Sequence, residues 1–371
     1  VTVHVTAFTD TYLPTVNGVT YTIDLWQSRW NDRYGRMDVV YPRSPDRDAR
    51  GREYPVPSVP VPTYRGHRLG FPVSPSTLPH PDVVHVHSPF TLGLAGLRFA
   101  TRSAVPVVAS YHTVLIDRIE QRFSHPRVVS QFKDVCRKYE QRFYDAVDLV
   151  VTPTVAARRY VRDEIDPDTQ IEVVSNGIDT ATFRPVDSDE FIAKYDIDDQ
   201  GPLIGYTGRH GPEKFLSELI EAAADLDVTV LLAGDGPCRP QLIERAQDLG
   251  CNTLFLGFLS REELPAFYSA LDVFVFPGRI ETQGLVALEA TACGTPVVAA
   301  EAGALPITVL DGETGYHYPP GNIRALRKAI RRVLANQERL REFCLRRRET
   351  LSVEHSLDRV ESLYDNVTAG R

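Results

Sequence analysis

The sequence predicts an α/β protein of two halves, each built on a parallel sheet covered by helices. Three observations predict it. Short runs rich in Val, Ile and Leu, without polar alternation, read as strands buried on both faces. They alternate with helix-length segments, the pattern of right-handed strand–helix–strand crossovers. The chain, at 371 residues, is too long for one ordinary hydrophobic core. The acidic stretch "FRPVDSDEFIAKYDIDDQGP" at 183–202 interrupts the alternation near mid-chain, with proline and glycine towards its ends, as a linker carrying a short helix would.

In chain order, the strand candidates of the first half are 1–8, 37–41, 83–86, 107–109, 149–152 and 171–174. Those of the second are 203–206, 228–232, 253–256, 273–276 and 296–299, and a last helix follows at about 353–367. The expected division is therefore a first domain at 1–184, a linker at 185–200, a second domain at 201–350, and a terminal helix at 351–371 packing back toward the first domain. A ligand is expected in the cleft between the halves, outside the carboxyl ends of the strands.

Composition narrows the class. Hydrophobic residues at 43% and charged residues at 24% are those of a globular protein. No apolar run approaches the roughly 18–20 residues that a membrane helix needs, and the opening "VTVHVTAF" reads as a strand rather than a signal peptide. The expected location is the cytoplasm, with peripheral attachment to the inner face of the cell membrane as a companion expectation. A net charge of −8 argues against nucleic acid as a partner. Cys136, Cys238, Cys251, Cys293 and Cys344 stand singly, which fits buried thiols better than disulfides or zinc.

Chemistry is sought in the segments that follow the strands. After the first comes "TDTYLPTVNGVT", where Asn17-Gly18 marks a turn into a helix whose amino end could meet a phosphate. After the first strand of the second half, "YTGRHGPEKF" places Arg209 and Lys214 around a Gly-Pro turn, two cations suited to a diphosphate or, for this segment alone, equally to a solvated surface loop. "LLAGDGPCRP" has Arg239 where a dinucleotide fingerprint needs its third glycine, which disfavours a nicotinamide cofactor. In "PGRIETQGLVALEATACGTPVV", Glu281 precedes a helix starting near Gly284, and Glu289 lies inside it. Carboxylates accept pairs of hydrogen bonds from vicinal hydroxyls, so one glutamate suits a sugar and the other a ribose, with phosphates at the helix end between them. That is the outline of a nucleotide-sugar site.

These segments together resemble the family-four retaining glycosyltransferases. "RIETQGLVALEATACGTPVVA" resembles the E-x7-E signature of that family, and "GRHGPEK" its Arg/Lys loop. "FTDTYLPTVNGVT", "VVHVHSPFTLGLAGLRFA", "VVASYHT" and "VVSNGIDTATFRP" are similar to its amino-terminal half, closest to the branch that glycosylates diacylglycerol-type lipids; "GDGP", "FLGFLS" and "DGETGYHYPPGN" also fit. The resemblance covers nearly the whole chain in the expected order. It implies the GT-B fold, two Rossmann-like domains with parallel sheets facing an interdomain cleft. It implies a hexosyltransferase that retains anomeric configuration and needs no metal or other cofactor, with UDP-glucose or GDP-mannose as examples of the donor.

The roles it implies run residue by residue. Glu281 contacts the transferred sugar, Glu289 the ribose, and Arg209 and Lys214 the departing diphosphate. Gly18 and the Gly284–Leu285 backbone approach the phosphates, Gly208 is a further donor-binding residue, Phe258 and Leu259 line the base pocket, and His112 lies near the reacting sugar. Asp10 and Tyr12 are carried over as acceptor-side residues. Two features depart from the wider family. Gln283 stands where Phe is common, although the lipid branch often has Gln. The acceptor-shaping segment "VLIDRIEQRFSHP" at 114–126 lacks the tyrosines of the bacterial lipid enzymes. The expected acceptor is a membrane lipid, with a polyprenyl-linked glycan or a soluble polyol as alternatives and a GT-B sugar-nucleotide epimerase as the rival activity.

Remaining features have plainer expectations. His85 and His87 would share one face of a strand and read as structural. The Asp-x-Asp pairs 46/48, 166/168, 187/189 and 196/198 read as solvated loops rather than Mg²⁺ ligands. The basic stretch 118–142, interleaved with apolar residues, suits an anionic membrane surface or equally a solvated helix face, whereas 324–348 reads as ordinary helix surface.

Overall fold

The computed structural model describes residues 2–61, 66–113 and 126–370, with side chains from Phe132 onward in the helix that begins at Pro126. The chain divides into two compact units, Val1–Gly177 together with Val353–Arg371, and Ile178–Ser352.

The first unit carries β1 (Val3–Phe8), β2 (Gly35–Pro42), β3 (Glu53–Val56), β4 (Ser58–Pro60), β5 (Arg68–Gly70), β6 (Val83–Val86), β7 (Val107–Ser110), β8 (Leu149–Thr152) and β9 (Ile171–Val173). Seven of these form one sheet in the order β3-β2-β1-β6-β7-β8-β9, and each pairing is parallel. β4 and β5 make a separate antiparallel pair. Strand side chains alternate between faces, and both faces here are apolar. Val84, Val86, Val107, Ala109 and Val150 enter one core with the helix Thr91–Ser103. Val3, Val5, Val83, Val108, Leu149 and Val151 enter the other, with Trp26, Trp30 and the terminal helix Val353–Ala369. That helix buries Val353, Leu357, Val360 and Tyr364, positions that recur on one helical face. Tyr34 Oη donates to an Asp358 carboxylate oxygen at 2.7 Å and anchors its first turns.

The second unit carries β10 (Leu203–Thr207), β11 (Thr229–Ala233), β12 (Thr253–Gly257), β13 (Val273–Phe276), β14 (Val297–Ala300) and β15 (Gly315–Tyr318). They form a six-stranded sheet in the order β12-β11-β10-β13-β14-β15, again parallel throughout. The helix Ile323–Leu334 packs on it through Leu326, Ala329, Ile330 and Val333 and turns its arginines outward. Each unit therefore places its first strand centrally, and strand order reverses beside it, at β1/β6 and at β10/β13. In open α/β sheets the crevice outside the carboxyl ends at such a reversal is where ligands bind.

The structure adds strands that apolar runs do not announce. β3 contains Pro55, tolerated because it lies at the sheet edge. β4, β5 and β15 are too short and too polar to stand out. Residues 185–200, expected as a linker, belong to the second unit. The helix Asp189–Lys194 sits there, and Phe191 and Ile197 are buried in that unit's core. The stretch is acidic on its solvent side only, and an exposed acidic face is what made it read as a linker.

Candidate active site

Two clusters, one in each unit, sit at the carboxyl ends of the central strands. In the second unit the segment after β10 is supported from beneath by the segment after β11. Gly234 has a φ of 110°, and a Cβ there would stand 2.0 Å from the Gly208 carbonyl oxygen. His210 N donates to Asp235 O at 2.8 Å and Cys238 N to His210 O at 3.0 Å. The "GDG" run thus allows two backbones to touch and holds the Arg/Lys loop in place. Residues Pro212–Lys214 form a single 3₁₀ turn that ends at Phe215, whose φ of 50° is unusual for a side chain of its size.

Lys214 Nζ donates to a Glu281 carboxylate oxygen. The pair joins the loops that follow β10 and β13, adjacent strands at the reversal, and the two side chains are 19% and 17% exposed. Burial works against the Lys214 charge, but Glu281 outweighs it and holds the ammonium above the usual lysine range. Arg209 is exposed and, among the described residues, pairs with Glu213 at 3.2 Å. Its guanidinium thus stays at the mouth of the loop, apart from the Lys214–Glu281 pair.

Gly284, with a φ of 84°, turns the chain into the helix Leu285–Ala292. A Cβ on it would come within 3.0 Å of Leu305, so glycine is favoured here both by conformation and by space. Inside that helix, Glu289 is buried, and its Oε2 accepts from Tyr268 Oη at 2.8 Å. Arg261 Nη1 lies 3.6 Å from the other oxygen. Burial raises the Glu289 pKa, opposed by Arg261 and the Tyr268 hydroxyl. Phe258 projects into solvent while Leu259 is buried in the core, so of the two expected base-pocket residues only Phe258 offers a ring face.

Four residues of this unit, Arg279, Glu218, Tyr318 and Tyr268, were not anticipated from the sequence. The Arg279 guanidinium stacks 3.8 Å above the Phe215 ring and donates to Glu218. Tyr318 Oη donates to the second Glu218 oxygen at 3.0 Å. Arg279, two residues before Glu281, thereby braces the residue that follows Lys214. Its place beside an E-x7-E glutamate was the available signal. Tyr268 and Glu218 gave none, being separated from their partners by 21 and 100 residues.

In the first unit, the Asn17 side chain caps the helix Gly18–Arg29 by accepting from Thr20 N at 2.9 Å, which leaves Gly18 as the first helical residue. Asp10 and Tyr12 are engaged inside the fold. Asp10 accepts from Leu92 N at 3.0 Å, Thr91 Oγ1 at 2.8 Å and Ser88 Oγ at 2.6 Å, so it caps the helix Thr91–Ser103 from the neighbouring strand. Tyr12 is buried and donates to Gln27 at 2.9 Å. His85 in β6, His87 just past it and His112 past β7 form a stack, with ring centroids 4.2 Å apart for the first pair and 5.3 Å for the second. Burial pushes His85 down to about 3 and His112 to about 4, so both are neutral at physiological pH.

Among the described residues no three His, Cys, Asp or Glu side chains converge as metal ligands. Segment 114–125 and the side chains of 126–131, hence much of the basic stretch 118–142, lie outside the described residues. Among those described, no helix is long and apolar enough to cross a membrane.

Comparison with known proteins gives consistent findings. Residues 16–182 match the family described as Glycosyltransferase Family 4 and residues 187–349 that described as Glycosyl transferases group 1. The chain is 31% identical over 294 residues to sulfoquinovosyl transferase SQD2 of Arabidopsis thaliana, covering 76% of this chain and 56% of that one. It is 36% identical over 243 residues to a D-inositol 3-phosphate glycosyltransferase of Mycobacterium sp. (strain JLS), with 63% and 54% covered. To alpha-monoglucosyldiacylglycerol synthase of Streptococcus pneumoniae it is 30% identical over 318 residues, with 79% and 70% covered. The chain thus spans about half the length of the first of these relatives. Sucrose-phosphate synthase from Thermosynechococcus elongatus superposes with a TM-score of 0.79 at 21% identity, over 99% of this chain and 100% of that one. Anabaena HepE in complex with UDP does so with a TM-score of 0.74 at 19% identity, over 98% and 100%. The two α/β units have the GT-B fold.

Proposed function

The chain belongs to the glycosyltransferases of family 4 and group 1, related to members that make glycolipids, and from that premise we propose that it moves a hexose from a nucleotide-diphosphate sugar to a hydroxyl acceptor with retention of configuration. The observation that carries the reading is the Lys214–Glu281 pair at the β10/β13 reversal. It sets a cation for the diphosphate beside a carboxylate for the sugar hydroxyls.

In the reaction the bond from the anomeric carbon to the diphosphate oxygen breaks and one to the acceptor oxygen forms on the same face. The acceptor's proton passes to the departing diphosphate. Negative charge grows on that diphosphate, and Lys214, Arg209 and the amide groups at Gly284–Leu285 would stabilise it electrostatically. Fixed protein cations do there what a divalent metal does in other transferases, so no metal is required. Glu281 has no role as a covalent nucleophile, in contrast with retaining hydrolases. Glu289, aimed by Tyr268, would accept from the ribose hydroxyls, and Phe258 would offer its ring to the base. His112, past the end of β7, would serve the transferred sugar. A lipid acceptor is favoured by the kinship with alpha-monoglucosyldiacylglycerol synthase and SQD2. Exposed Phe132, Val135 and Tyr139 on the helix Pro126–Tyr144, flanked by Lys138 and Arg142, would suit an anionic membrane surface.

The test is thermal shift with a panel of UDP-, GDP- and ADP-sugars in EDTA. Binding to the native state raises the melting temperature by mass action. One nucleotide class should stabilise the protein, and Glu289→Ala should abolish the shift. A flat response to every sugar nucleotide, with and without candidate lipid acceptors, sinks the reading.

A further inference from the structure

His87 is a buried imidazole with one described partner. Its Nδ1 lies 3.0 Å from His112 Nε2. Its Nε2 is buried and has no hydrogen-bond partner among the described residues. The two nitrogens in contact must share one proton, and the partnerless nitrogen decides which ring holds it. If His112 Nε2 carried the proton, His87 would accept at Nδ1 and carry its own proton on Nε2, as a buried N–H donating to nothing. Orphaned buried donors are rare because nothing replaces the water they lose. If His87 carries the proton on Nδ1, the bare Nε2 is only an unused acceptor. A doubly protonated His87 is ruled out by burial, which holds it well below the usual histidine range.

We infer that His87 is a positioning residue: its Nδ1–H donates to His112 Nε2, fixing His112 as the neutral form protonated on Nδ1. The surroundings keep the His87 ring from rotating out of this arrangement. It stacks on His85, 4.2 Å away, and meets the edge of Trp26 at 6.1 Å. His85 is itself pinned at both nitrogens, by Ser110 Oγ at 2.8 Å and by Tyr364 Oη from the terminal helix. The order of control runs from Ser110 and Tyr364, through the stack, to the tautomer of His112. With its Nε2 lone pair occupied, His112 cannot take a proton from the acceptor at that atom. Its service to the sugar is as a neutral dipole, and the leaving diphosphate keeps the role of base. This catalytic consequence rests on the transferase reading; the tautomer does not.

The experiment uses the full chain with ¹⁵N-labelled histidine and long-range ¹H–¹⁵N correlation, which reports which ring nitrogen bears hydrogen. His112 is assigned by the signal lost in His112→Gln. Wild-type His112 should show a protonated Nδ1 and a bare Nε2. His87→Leu should return it to the Nε2–H form usual in water. His87→Asn, whose side-chain NH₂ can stand in for Nδ1–H, should keep the Nδ1–H form. Finding Nε2–H on His112 in the wild type overturns the inference whether or not any variant folds. So does Nδ1–H persisting in a folded His87→Leu. No sugar nucleotide is needed for this readout, so its failure is separate from failure of the transferase reading. Where transfer is measurable, His87→Leu should lower kcat on the order of 10²-fold, as misplacing a group near the reacting atoms does, with donor KM little changed and His87→Asn recovering most of the loss. A wild-type kcat in His87→Leu overturns the positioning role.

Discussion

Replacing Lys214 by Met separates what the Lys214–Glu281 pair does for stability from what it does for transfer. The side chains are 19% and 17% exposed, so their attraction is only partly screened. At contact and an effective dielectric near 20, the Coulomb energy is about 4 kcal/mol. Losing the cation leaves Glu281 largely desolvated and without its counter-charge, and residual hydration brings the net cost to roughly 2–4 kcal/mol. For a unit of this size each kcal/mol moves Tm by roughly 2–4 °C, so Lys214→Met should melt roughly 4–16 °C lower. Steady-state transfer should fall on the order of 10²–10³-fold in kcat, the usual loss for one electrostatic donor to a leaving group. The double variant K214M/E281Q makes the test sharp. With both charges gone no unpaired ion remains, so Tm should recover most of the way. Transfer should not recover, because both groups it needs are absent. The measurements are circular-dichroism melts of all four cycle members and initial rates with the sugar nucleotide selected by thermal shift. A Lys214→Met protein that melts like wild type and transfers within about threefold of it refutes the assignment of this pair as the donor-site core.

Other outcomes follow from the same geometry. Tyr268→Phe removes the hydroxyl that holds Glu289 Oε2 at 2.8 Å; sugar-nucleotide affinity by calorimetry should weaken by about 1.5–3 kcal/mol, and unchanged affinity would mean that Glu289 needs no such support. Gly234→Ala puts a methyl 2.0 Å from the Gly208 carbonyl oxygen; it should abolish the nucleotide-dependent thermal shift and cost more than about 1 kcal/mol of stability, whereas retained nucleotide binding would show that the two loops move independently. Glu140 is buried, with both carboxylate oxygens lacking hydrogen-bond partners among the described residues, and burial raises its pKa to about 7. Its folded-state pKa lies above the unfolded one, so the native state binds more protons between them, and stability falls as pH rises from about 4.5 to about 7. Glu140→Gln should remove that slope and stabilise the protein at pH 8 by roughly 3 kcal/mol, read from denaturant melts at a series of pH values; an unaltered slope would place the proton elsewhere.

Most of the apolar strands were legible because they are buried on both faces and carry no alternation to confuse with a helix; β9 and β12, at the sheet edges, are only partly buried but keep apolar runs. The strands that went unread, β3 to β5 and β15, are short, carry proline or polar residues, and are specified by their neighbours in space. The glutamates of the E-x7-E stretch and the cations of the loop after β10 stood out one by one. Their association did not, because Lys214 and Glu281 are 67 residues apart and only the β10–β13 pairing brings them together. Asp10 shows the converse. The resemblance carried it over as an acceptor-side residue, and in the structure its Oδ1 caps the helix Thr91–Ser103 while its Oδ2 accepts from Ser88 Oγ. A polar residue at a strand end serves helix termini as readily as substrates, and sequence does not distinguish the two. His85 and His87 were legible as sharing one face of a strand, but the 3.0 Å contact that couples His87 to His112 comes from a neighbouring strand.

The first unit is discontinuous along the chain, which leaves it at Gly177 and re-enters at Val353. During synthesis the amino-terminal segment emerges first, and its sheet can pair early, but one face then lacks its cover. Val3, Val5, Val108 and Val151 are shielded by Leu357, Val360 and Tyr364, residues translated only after the whole second unit. A ribosome-bound intermediate therefore carries a bare apolar face for as long as the second unit takes to be made. Such a face is prone to aggregate until it is covered, and a stop codon before residue 353 would leave the chain permanently sticky rather than merely shortened.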